Sequence, residues 1–139
     1  IDSNIALYLV REFPEKKDTA LELLEKKPII SIQVINENIN VCHRKFGLTV
    51  EIFQKHITTL FKKCIVAQIN RETTEKAISI LLKYKYSYYD SLIIASALEN
   101  NCKILYSEDM QHKQVIEKTL TIINPFVWLR YSIDMFFEF

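Results

Sequence analysis

An α/β fold, a parallel sheet covered by helices on both faces, is what this sequence predicts, on three observations. Short, wholly apolar runs recur along the chain, and stretches with helical spacing of apolar side chains stand between them. Strands that are apolar throughout are buried on both faces, and their alternation with helices builds a parallel sheet. The third observation is supply: 139 residues, 49% hydrophobic and 12% aromatic, fill one core of ordinary domain size. A single glycine and three prolines leave little material for long flexible linkers.

Taken in order, the chain opens with Ile1-Asp2-Ser3-Asn4 and an apolar run over residues 5–10. Residues 15–27 read as a helix, with Ala20, Leu21, Leu23 and Leu24 on one side, stopped by Pro28. Ile29-Ile30-Ser31-Ile32 is a buried strand. A helix follows over residues 33–44, with Val34, Ile35, Ile39 and Cys42 as its apolar set, and Gly47 marks its end. Residues 49–63 form another helix, turning Ile52, Phe53, Ile57, Leu60 and Phe61 inward. Ile65-Val66-Ala67 is a strand, residues 71–84 and 88–100 are helices, residues 103–106 are a strand, and Thr121-Ile122-Ile123 is the last strand, closed by Asn124-Pro125. No internal repeat or low-complexity segment interrupts this order.

Several function classes lose support from the totals. The net charge is +1, so no broad basic surface for tracking phosphates shows in the composition. Cys42, Cys64 and Cys102 are widely spaced, with neither a CxxC pair nor zinc-site spacing, and read as reduced thiols of a cytoplasmic protein. No apolar run reaches bilayer length, so no membrane partner is expected, and no secretory leader is evident.

Four carboxylates sit where such a fold places chemistry. Asp2 is expected just past a first strand, Glu37 in the helix after the second strand, Asp90 at the start of a helix, and Asp109 just beyond the strand ending at Tyr106. Ligands of parallel α/β folds bind at the carboxyl ends of the strands, and all four positions fall near that edge. Oxygen donors without a histidine or cysteine partner suit magnesium or manganese, which hydrolyse phosphodiesters by acidifying water and neutralising phosphate charge. Each acid also has an ordinary reading. Asp2 can cap the first helix, Ser87 and Asp90 resemble a capping box, Glu37 can be a solvated helix residue, and Asp109 a turn residue.

At these same positions the chain resembles the PIN-domain family, and the VapC-type toxin ribonucleases within it. Asp2-Ser3-Asn4 resembles the family's opening motif, and Val34-Ile35-Asn36-Glu37 the segment with its second acid. The stretch Ser87-Tyr88-Tyr89-Asp90-Ser91-Leu92-Ile93-Ile94-Ala95-Ser96-Ala97 is similar to the S-x-x-D-x-L-I-x-A-x-A helix that carries the third. Ser107-Glu108-Asp109-Met110-Gln111-His112 resembles the acidic loop of one subgroup, and Ile122-Ile123-Asn124-Pro125-Phe126 the usual close.

The resemblance spans residues 1–126 as one PIN domain and leaves residues 127–139 as an aromatic-rich tail, a terminal helix or a partner contact. It implies a three-layer α/β/α sandwich with a central parallel sheet. Asp2, Glu37, Asp90 and Asp109 would hold one or two Mg²⁺ or Mn²⁺ ions, with Glu108 a competitor for the role of Asp109. Asn4 and Ser107 would orient the carboxylates. The implied activity is endonucleolytic hydrolysis of RNA, with an antitoxin protein that blocks the site and a homodimeric state as further expectations. Asn36, Arg44, Lys45 and His112 are candidate RNA contacts, and Tyr88 or Tyr89 a candidate base-stacking surface.

The sequence departs from the family at its start. Only Ile1 precedes Asp2, where the family has a central strand, so the first strand is expected to be truncated in this sequence. Two rival readings remain at this point: a catalytically inactive PIN-like binding module, and a receiver-like signalling domain. The latter needs a phosphoacceptor acid after its third strand, and residues 65–70 supply none.

Overall fold

The computed structural model describes residues 1–127, so the aromatic tail from Trp128 onward, and what was expected of it, lies outside the described residues. The parallel pairing expected from the apolar runs is present. β1 (Ile29–Ser31) pairs in parallel with β2 (Ile65–Ala67), Ile30 opposite Val66. β3 (Ile104–Tyr106) pairs in parallel with β5 (Leu120–Ile123), Leu105 opposite Ile122. A two-residue strand, β4 (Val115–Ile116), runs antiparallel on the other edge of β5. The strands therefore form two sheets, β1-β2 and β3-β5-β4.

Ile1 and Asp2 lie between these sheets. The Ile1 amino group donates to the Ile29 carbonyl at 2.9 Å, and the Asp2 amide donates to the Tyr106 carbonyl at 2.9 Å. Asp2, in extended backbone conformation, is the N-cap of α1 (Ser3–Leu7). The apolar run that follows it packs as helix and turn, with Ile5, Ala6, Leu7 and Tyr8 all buried.

The helices follow their local signals. α2 (Pro14–Glu25) has proline at its first position, where the missing N–H costs nothing, and Lys27 takes a left-handed turn with φ 52° before Pro28. Ser31 closes β1 and caps α3 (Ile32–Asn40), its Oγ accepting from the Val34 amide at 3.3 Å. A π-helical segment (Val41–Lys45) extends α3, and Gly47, φ 60°, ends it where a left-handed residue is needed. Thr49 caps α4 (Val50–Lys63). Asn70 and Thr73 form a reciprocal box that starts α5 (Arg71–Tyr84), and Ser87 caps α6 (Tyr88–Glu99).

α6 is the centre of the packing, because residues 91–97 are buried without interruption. Leu92 and Ala95 face Ala77 of α5, while Ile93, Ile94 and Ala97 join the main core with Ile30, Val34, Leu105 and Ile122. An apolar helix of this kind has no solvent face to lose, so α5 and the strands enclose it. No helix among the described residues is long and apolar enough to cross a membrane.

The double duty of Ser31 has a measurable cost. Ser31→Ala is expected to lower stability by about 1 kcal/mol, because a buried cap is lost at the helix that carries Glu37. Urea unfolding of the variant against the parent checks this.

Candidate functional site

The site is built around the first turn of α1. Of three consecutive residues there, the first is itself an acid and the next two each hydrogen-bond another. Asp2 is itself buried, 5% exposed, and its carboxylate accepts from the Ser107 Oγ at 2.8 Å and from the Ser3 amide at 2.6 Å. The Ser3 hydroxyl donates to Glu37 on α3. The Asn4 side-chain amide donates to Asp109, just past β3. Residues 2, 37 and 109 are thus tied to one short helix start, although they are far apart in the chain.

Asp90 reaches the same neighbourhood from α6. Its amide donates to the Ser87 Oγ at 3.2 Å, the cap half of the box expected from the sequence. A carboxylate in the first turn of a helix is favoured by the exposed amides there.

The four acids act on one another. Asp2 is pushed up to about 6, first by burial and further by the charges of Asp90 and Glu37; the Ser107 and Ser3 hydrogen bonds hold it back. Asp90 is raised as well, first by burial and then by Glu37 and Asp109, against the bond with Ser87. Carboxylates that raise one another in this way form a pocket of negative potential that favours a cation.

The donor set fits Mg²⁺ or Mn²⁺: oxygen only, with like charges that a divalent ion relieves. Among the described residues, however, no three acids, histidines or cysteines stand close enough, as placed, to hold one ion. Glu37 and Asp109 are drawn toward Ser3 and Asn4, so a shared ion has to compete for those carboxylates.

Glu108 turns away from this cluster. Its Oε1 accepts from the Tyr8 hydroxyl and from the Lys16 Nζ, each at 3.0 Å, and so anchors the loop. Ser107, fully buried, also accepts from the Met110 amide at 3.2 Å and thereby holds both Asp2 and the loop turn.

The outlying candidates divide. Asn36, Arg44 and Lys45 are exposed on α3 and its π-helical extension. His112 is half-buried, and its Nδ1 accepts from the Asn124 amide at 2.9 Å, a structural tie at the end of β5. Tyr88 packs against the α5–α6 contact, leaving Tyr89, 58% exposed, as the ring open to solvent.

Sequence reasoning missed Ser3 as a partner of Glu37, and it missed Asn38 and His56 altogether. His56 Nε2 meets Asn38 Oδ1 at 2.8 Å in the core, Asn38 being the residue after Glu37 in α3. The available signal was a polar residue interrupting each apolar stripe: Asn38 follows Val34 by one turn, and His56 sits beside Ile57 and Leu60.

A comparison with protein-family models matches residues 1–118 to the one described as PIN domain. No curated protein matches the chain.

Proposed function

Because the chain belongs to the PIN domain family, whose members are generally nucleases and often metal-dependent, we propose that it is an endoribonuclease that uses Mg²⁺ or Mn²⁺ to hydrolyse RNA phosphodiester bonds. We read it further as the toxin of a type II toxin–antitoxin pair of VapC type, acting in the cytoplasm and restrained by an antitoxin protein. The observation that carries the enzymatic reading is the convergence on one helix start: Asp2, Glu37 through Ser3, and Asp109 through Asn4, with Asp90 in electrostatic range.

In this reading Asp2, Glu37, Asp90 and Asp109 hold the ion. The ion, when bound, supplies acidity to a water molecule and charge neutralisation to the phosphate. Ser107 keeps the Asp2 carboxylate turned into the pocket, and Ser3 and Asn4 do the same for Glu37 and Asp109 at the rim. Arg44 and Lys45, exposed on the segment that extends α3, are the nearby cations for the RNA backbone, and Tyr89 is the ring for a base. A homodimer is the expected assembly.

The second reading, a PIN-like module that binds without cutting, draws on the acids being too far apart, as placed, to share one ion. One experiment separates the two. RNA cleavage by the purified chain is measured with Mg²⁺ or Mn²⁺ and with EDTA, beside Asp90→Asn. Cleavage is expected only with metal, and Asp90→Asn is expected to lower it at least about 100-fold with the fold retained, since the loss of a ligand exceeds the effect of an outer partner. Full-rate cleavage by Asp90→Asn would remove Asp90 from the site. Binding of RNA without cleavage under every metal condition selects the second reading.

A further inference from the structure

We propose that His56 and Asn38 are positioning residues that set Glu37 and Ser3 from behind the acidic pocket. Asn38 is fully buried and His56 is 5% exposed. The Asn38 side-chain amide donates to the Val34 carbonyl at 2.9 Å and to the Ser3 carbonyl at 3.4 Å. With both donor directions used, its Oδ1 accepts from His56, so His56 carries a proton on Nε2. Three elements are thereby joined in line: α4 through His56, α3 through Asn38, and α1 through Ser3.

The output of that line is the acid site. Ser3 takes a hydrogen bond from Asn38 on its carbonyl and gives one from its hydroxyl to Glu37. Glu37 is the residue beside Asn38 in the same helix turn. The rotation of α1 against α3, which decides where the Ser3 hydroxyl meets the Glu37 carboxylate, is therefore fixed by a directional contact rather than by apolar packing alone.

Stability by itself gives no reason for the pair. Two apolar side chains of similar volume at 38 and 56 would fill the space without desolvating an amide and an imidazole, and such replacements are often neutral or stabilising. Hydrogen bonds, unlike apolar contacts, specify angle, and partners one shell behind a metal ligand tune its affinity by 10–100-fold.

The inference rests on the reading of Glu37 as a metal ligand, so its test reads metal and geometry separately. Mn²⁺ alone is titrated into the full chain by electron paramagnetic resonance, beside thermal unfolding and amide NMR of Ser3 and Glu37. The key variant is Asn38→Leu with His56→Phe, which leaves no orphaned polar group. It is expected to melt at or above the parent temperature, to bind Mn²⁺ about tenfold more weakly, and to shift the Ser3 and Glu37 amides. His56→Gln, which keeps an N–H toward Asn38, is expected to restore most of the affinity. A folded double variant with parental Mn²⁺ affinity overturns the proposal, and so does a His56→Gln variant as weak as the double one. Should the parent chain bind no Mn²⁺, the metal reading fails, and the NMR arm decides this inference: unshifted Ser3 and Glu37 amides in the double variant overturn it, and shifts reversed by His56→Gln uphold it.

Discussion

Asp2→Asn is expected to stabilise the metal-free protein while lowering cleavage at least about 100-fold. Asp2 is 5% exposed and its carboxyl is pushed up to about 6, with burial as the main cause. An unfolded aspartate ionises near 3.8, so the folded protein holds this proton roughly two pH units longer. A folded-state pKa raised above the unfolded one gives a contribution fully present below about pH 4 and lost as the pH rises through about 6. At neutral pH the ionised Asp2 then costs about 2–3 kcal/mol. Asparagine keeps an oxygen for Ser107 or the Ser3 amide and carries no charge, so the cost disappears.

His56 moves the other way. Burial pushes it down to about 4 from an ordinary 6.5, so its contribution is present above about pH 6.5 and lost as the pH falls through about 4. The two trends oppose each other across the same window in the parent chain. In Asp2→Asn the opposing Asp2 trend is gone, and stability should fall more than in the parent on acidification from pH 7 toward pH 4.5. Urea unfolding in EDTA at both pH values, for parent and variant, checks the sign. A variant no more stable than the parent at pH 7.5 would show that Asp2 is ionised there without strain.

Ile94→Ala is the second large effect, expected to cost about 2–5 kcal/mol. Ile94 is fully buried on α6, in the segment from residue 91 to 97 that has no solvent-facing position. A cavity there opens in the middle of the main core, with the strands on one side and α5 limiting any collapse of the helix from the other. Against a total of about 5–15 kcal/mol for a domain, that is a large fraction. Ile78→Ala on α5, 49% exposed, serves as the comparison and should change stability by less than about 1 kcal/mol. Equal denaturant midpoints for the two variants would contradict the central place of α6.

The sequence showed most of the frame because its signals are local. β2 lies at residues 65–67 and α5 at residues 71–84, as the apolar run and the periodicity placed them. What escaped was written in backbone conformations that composition hides. β4 is two residues long, and Lys113, Glu117 and Lys118 around it take left-handed conformations usually given to glycine. With one glycine in the chain, other residues carry most of those turns, and the strand between them has no marker. The acids of the candidate site were legible by type and by their distance from strand ends. Of the side chains around them, Asn4 and Ser107 came with the family resemblance, but Ser3, Asn38 and His56 did not, because they acquire a role only when α1, α3 and α4 meet.

The pair Ile1 and Asp2 stitches the two sheets together, the Ile1 amino group bonded to the first and the Asp2 amide to the second. In the proposed reading, an ion that holds the Asp2 carboxylate sits beside the backbone that joins the two sheets.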